Sequence, residues 1–303
     1  MVFTASYVAS HGYDLLFPAD INAVPEQFLS ANDNDKRPYP LFKSISSGNQ
    51  GSGGTNNGVS NYNSLQTTVS ERLSRGLSFS GNYTWSHMLT SVDSSGWGSS
   101  SGNDFYQRPY DVAANYGASN FDVRNAVKGW AIYDLPFGKG RQFLNNNWLA
   151  DEAIGGWQVS PTIVWTSGFP YTLTTSSNNS FDQTGNGQQF PNQISSSPNP
   201  SHKTLKEWYN PAAFAQPTAG TYGDTRRNSL YGPQFLLVNA AVGKTFHIPW
   251  EGIGLEIRAS ANNVLNHPSF AAPNASIGDP NAGIINSLTV FGRTMQLYGR
   301  VSF

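Results

Sequence analysis

The 303 residues carry 18 Lys and Arg against 19 Asp and Glu, a net charge of -1, and no cysteine. Near-neutrality argues against nucleic acid or an anionic membrane surface as the main partner, and the missing thiols exclude cysteine nucleophiles, disulfide staples and cysteine-based zinc sites. Charged residues make up 12%, about half the share of a soluble domain, and a surface turned toward lipid accounts for that deficit.

No stretch approaches the ~18 apolar residues of a spanning helix, so a membrane crossing by this chain requires strands. The first residues, MVFTASYVASHGYDLL, have no basic segment followed by an apolar one, and the first Lys is Lys36. That pattern is not a signal peptide; the expectation is that Met1 is an arbitrary or internal start. Phe3 to Ser10 alternates weakly with period two. In ANDNDK, Asp33 and Asp35 are candidate calcium ligands, but the Gly and distal Glu of an EF-hand loop are missing, so a solvated turn is the stronger expectation. The Gly, Ser and Asn run NQGSGGTNNGVS predicts a mobile loop.

Tyr62 to Leu73 reads as a second strand and Ser74-Arg75-Gly76 as a tight turn. From Leu77 the alternation is clean: Leu77, Phe79, Gly81, Tyr83 and Trp85 share one face, with Ser78, Ser80, Asn82, Thr84 and Ser86 on the other. Gly98 to Gly102 spells a nucleophile-elbow pattern, yet it lies in a Ser/Gly-rich loop and lacks the strand and helix that the motif needs. Trp97, Tyr106 and Tyr110 are candidate loop contacts for an extracellular ligand, since aromatic rings combine large contact area with a polar tip. Packing the loops onto one another explains them equally well.

Phe121 to Leu135, Trp157 to Phe169 and Phe235 to His247 supply three more strands, the second weakened by Pro161, which lacks a ladder donor. Gly243-Lys244-Thr245 resembles the end of a phosphate-binding loop, but Asn239 stands where its first Gly belongs. From Gly254 to Asn262 and from Thr294 to Phe303, apolar residues again alternate with polar ones, placing Glu256 and Arg258 on a wet face. Asp122, Arg124, Glu256 and Arg258 are therefore candidate lumen-facing charges. They either contact a passing substrate or, more simply, hydrate the inner wall or pair with a plug. The five His residues show no metal-ligand spacing. Neither a catalytic residue nor a cofactor is expected.

Short connections alternate with long ones along the chain, as in barrels that place tight turns at the periplasmic side and long loops outside. The fold class is thus all-β: an antiparallel meander of about eight transmembrane strands, either an open curved sheet or a partial barrel when taken alone.

Five passages carry a resemblance: NYNSLQTTVSERLSRGLSFSGNYTWSH from Asn61, FDVRNAVKGWAIYDLPFGKGR from Phe121, GGWQVSPTIVWTSGFPY from Gly155, ASANNVLNHPSF from Ala259 and the closing GRVSF. In this order they resemble the barrel domain of the Oar-like branch of the TonB-dependent receptors. The resemblance implies that residues 1–303 are the C-terminal segment of a larger outer-membrane barrel of about 22 strands, with signal peptide and plug domain absent from them. It implies TonB-coupled transport across the bacterial outer membrane, with adhesion or passage of a protein partner as the alternative. The partners it implies are outer-membrane lipid, TonB through the missing N-terminal parts, an extracellular ligand and the barrel-assembly machinery. That machinery would read Leu297, Val301 and Phe303 on the terminal strand, although Phe303 also fits a plain lipid-facing girdle residue.

Overall fold

The computed structural model describes residues 1–17, 20–30, 36–42, 45, 55–93, 107–138, 141–143, 154–176, 189–247 and 254–302. Eight long strands run through them: β1 (Val2–Phe17), β2 (Thr55–Ser74), β3 (Leu77–Thr90), β4 (Asn125–Asp134), β5 (Trp157–Thr166), β6 (Phe235–His247), β7 (Gly254–Asn262) and β8 (Thr294–Ser302). Each pairs antiparallel with its sequence neighbour, giving one sheet in chain order. Among the described residues β1 and β8 do not pair with each other, so the sheet is open, with a free edge at either end.

Alternation builds this sheet because period two puts one face of every strand on the same side. Leu77 lies opposite Tyr133, Tyr133 opposite Val159, Val159 opposite Val242, Val242 opposite Ala259 and Ala259 opposite Leu297, an apolar row across six adjacent strands. The other face carries Ser160, Ala241, Ser260 and Gln296 in one row and, two rows on, Thr245, Glu256 and Arg300. On the apolar face Ile163, Val242, Ile257, Leu297 and Val301 are exposed, while Leu255 is half-buried rather than open. An apolar surface this wide is not a water-facing surface of a monomeric soluble domain.

The turn between β2 and β3 is Arg75-Gly76 with φ of 50° and 83°, the two left-handed residues of a primed hairpin turn. Gly is needed at the second place: a Cβ there would meet the Asp134 carbonyl oxygen at 2.9 Å. Pro161 has its expected effect. The β4–β5 register runs from Ala126 opposite Thr166 to Trp130 opposite Thr162 and resumes at Tyr133 opposite Val159, skipping the two pairs of Pro161 and Ser160.

Antiparallel order forces the connections to alternate between ends. The strand ends joined by residues 75–76, by 135–156 and by 248–253 are at one end, and the described parts of loops L1 (18–54), L2 (91–124), L3 (167–234) and L4 (263–293) are at the other. Among the described residues the main hydrophobic cluster is in these loops: Tyr171, Leu173, Tyr209, Ala213, Phe214, Leu230 and Ile277 form it. The described parts of the loops bury apolar surface against one another, and the described end of NQGSGGTNNGVS, Thr55 to Ser60, belongs to β2. The named helical elements are single 3-10 turns, such as Glu26–Phe28 and Pro211–Ala213.

Candidate functional site

All four loops are tied into one cap. L3 and L4 join through a short parallel pairing, Thr174–Thr175 with Ser276–Ile277. Tyr209 sits in the core with its hydroxyl donating to the Asn274 carbonyl of L4 at 2.9 Å, and burial raises its pKa. L3 and L2 join through a buried ion pair, Arg227 with Asp93, while Arg227 also donates to the carbonyls of Thr90 at 2.5 Å and Asn115 at 3.3 Å. Beside it Asn228, in the left-handed region at φ 54°, donates to the Ala118 carbonyl at 2.8 Å and to Asn120 at 2.7 Å. L1 closes the assembly through Val24 and Leu29 packed on Tyr222 of L3.

Asp122 corrects its sequence assignment. It precedes β4 instead of lying on it, and it is 1% exposed. Its carboxylate accepts from the Met88 amide at 2.8 Å and the Tyr231 hydroxyl at 2.8 Å, with His87 Nδ1 at 3.2 Å. A carboxylate so enclosed needs those donors to offset its lost hydration, so it holds the cap to the wall and does not face a water-filled lumen. Burial first, then the hydrogen bond to Asp122, pushes the Tyr231 hydroxyl up to about 12, with Arg124 acting in the opposite direction. Arg124 thus belongs to the same junction.

Glu256 and Arg258 lie at the short-turn end of the polar face. With Asp134, Arg141, Gln158 and Ser160 they line a groove of about 230 Å³, in which Arg258 donates to Ser160 Oγ at 3.1 Å. Glu256 stands opposite Arg300 on β8. Leu297 and Val301 are on the opposite, apolar face, 76% and 58% exposed. Lys244 of the Gly-Lys-Thr triplet is a β6 residue opposite Trp157 and Ile257, which leaves no phosphate loop there. Trp97, Tyr106, Phe303, Asp33, Asp35 and the Gly98 to Gly102 motif lie outside the described residues.

Tyr110 opens the clearest site. It lines a cleft of about 400 Å³ between L1, L2 and L3, within the size range of ligand pockets. Its hydroxyl lies 2.6 Å from the Ala23 carbonyl and 3.0 Å from that of Ile21. Burial, with Asp20 adding and Arg37 opposing, raises its pKa. The remaining wall is mostly apolar, from Val24, Pro25, Pro38, Pro109 and Tyr222. Arg108 is the cation in it, stacked 5.9 Å from the Tyr222 ring centroid and 3.6 Å from Glu26. Sequence reasoning found Tyr110 from its aromatic type but missed Arg108, Arg227 and Asn228. Loop residues have no periodicity, and only their long-range partners distinguish them.

Residues 1–296 match a protein-family model described as an outer membrane beta barrel domain. No curated protein matches the sequence. Among solved structures the chain resembles the outer membrane transporter YddB from Escherichia coli, with 11% identity and a TM-score of 0.44. That match covers 98% of this chain and 30% of the other, so the chain spans less than a third of that protein's length. The open antiparallel sheet, its lipid-compatible face and the family match agree on the bacterial outer membrane as its location. The chain belongs to the outer membrane beta barrel domain family.

Proposed function

We propose that this chain forms wall and extracellular loop cap of an outer-membrane receptor that imports a ligand by TonB coupling, and that it is not an enzyme. One observation carries the reading: four loops from separate hairpins fold together over the end of the sheet and leave a ligand-sized cleft among them. Loops that only linked strands would have no reason to build a core of their own, whereas a capture surface has to be held in shape. The five passages that resemble the Oar-like branch support TonB coupling. Under this reading Glu256 and Arg258 face the lumen, Leu297 and Val301 face lipid, and the long loops are outside.

The alternative, adhesion or passage of a protein partner, uses the same cap as a docking surface. Culture medium analysed by mass spectrometry before and after growth separates the two. A strain carrying the full gene should deplete one or more solutes that neither a gene-deletion strain nor a TonB-deficient strain depletes. Depletion independent of TonB contradicts the coupling, and unchanged solutes with lost surface attachment favour the alternative.

A further inference from the structure

We propose that the Arg108 region is a binding site for a short peptide, one apolar side chain entering the cleft and the main chain with a charged end crossing a second chamber. The inference rests on the receptor reading and names its ligand class. The second chamber, of about 300 Å³, shares Arg108 with the first and is lined by Gln107, Phe190, Asp224, Thr225 and Arg226. Arg108 and Asp111 line both chambers, so the two are contiguous at those residues.

Three features select the ligand. First, polar atoms in the walls lack partners: among the described residues Arg108 Nε and Thr225 Oγ1 are buried without a hydrogen bond, and Thr225 is only 8% exposed. Such groups are costly when their hydrogen bonds are left unmade, and an entirely apolar ligand would leave them so. Peptide carbonyl oxygens would accept from both once the two side chains change rotamer to turn these groups into the chambers. Second, the charges are mixed. Arg108 and Arg226 stand among Glu26, Asp111 and Asp224, which disfavours a simple anion or a simple cation and suits a chain bearing amide donors, carbonyl acceptors and both terminal charges. Asp111 and Asp224 already accept from the amides of Ala114 at 3.0 Å and Gln193 at 2.7 Å, and a carboxylate keeps further lone pairs for a ligand N–H.

Third, the site is held in shape. Arg108 has a left-handed backbone at φ 58°, costly for a residue with a side chain and sustained only where the surroundings fix it. The Asp111 amide closes its turn at 3.0 Å, and Gln107 is clamped by its Oε1 accepting from the Phe190 amide at 2.6 Å. The flat faces of Pro25, Pro38, Pro109 and Tyr222 suit a branched or aromatic side chain. A single amino acid would fill one chamber and leave the other empty.

The test is equilibrium dialysis of the purified full-length protein in detergent against a tryptic digest of casein, with retained peptides read by mass spectrometry. Palmitate and inorganic phosphate are measured in parallel by calorimetry. Peptides rich in aromatic or branched residues should be retained, with retention at least tenfold lower in Arg108→Ala and in the near-isosteric Thr225→Val, and unchanged in Lys203→Ala. Peptide retention unaffected by both cleft substitutions overturns the site. Arg108-dependent retention of palmitate or phosphate without peptides overturns the ligand class and leaves the receptor reading standing. Retention of no probe overturns the proposal, whereas the receptor reading fails only if the medium-depletion experiment also fails.

Discussion

Arg227 and Asp93 lie 134 positions apart in the chain and form an ion pair that is almost wholly enclosed, 0% and 2% exposed at their side chains. Burying two charges is costly, and the pair persists because further acceptors, the Thr90 and Asn115 carbonyls, occupy the guanidinium. Removing one partner leaves the other charged and buried. Asp93→Ala should therefore destabilise the cap by about 3 to 5 kcal/mol. Limited proteolysis should cut L2 and L3 sooner while the heat-modifiable barrel band stays unchanged, because the pair meets the wall only at Thr90, the last residue of β3. Loss of the barrel band together with the loops would show that cap and wall are one cooperative unit.

A pH dependence follows from Tyr231. Its pKa in the fold is raised from 10.0 to about 12, by burial first and by the hydrogen bond to Asp122 second. A raised acid favours its neutral form when folded, so its contribution is fully present below pH 10 and is lost as pH rises through about 12. Ultraviolet difference titration of wild type against Tyr231→Phe should show one phenol ionising near 12. A missing phenol that ionises near 10 would contradict the enclosed junction.

Neighbouring residues on β8 should respond oppositely to charge. Val301 is on the apolar face opposite Leu255, and Ser302 on the polar face opposite Gly254. An Arg on the lipid face costs about 2 to 4 kcal/mol at the midplane and about 0 to 1 near the interface. Val301→Arg should lower the folded yield in purified outer membranes and Ser302→Arg should not. A large loss at Val301, near the strand end, exceeds the interfacial cost and points to its use by the assembly machinery. Equal yields contradict the face assignment.

The strands were legible because each is apolar on one side and wet on the other. Phe235–His247 and Gly254–Asn262 are found at their expected limits, while β1 and β2 run past theirs to Phe17 and back to Thr55. Their extra residues approach the cap, where Phe17 is buried on Val92, and local alternation does not report such contacts. Pro161 announced its gap because a missing N–H is a property of the residue itself. The cap was illegible for the opposite reason. Arg227 and Asn228 read as ordinary polar loop residues until Asp93, Ala118 and Asn120 are brought beside them. FDVRNAV continues an alternating pattern that carries Asp122 into the expected strand, but pairing with β3 begins at Asn125.

The central claim is that the sheet is inside-out, with its apolar face toward lipid. The chain contains no cysteine, so single cysteines carrying a nitroxide label report one position each. Ile163, Ile257 and Leu297 test the apolar face, and Thr162, Arg258 and Gln296 the polar face, in the full-length protein reconstituted in phospholipid vesicles. Collision with oxygen, which concentrates in hydrocarbon, should be high for the first three labels, and collision with a water-soluble nickel chelate high for the second three. The reverse pattern, or equal access on both faces, would contradict the account.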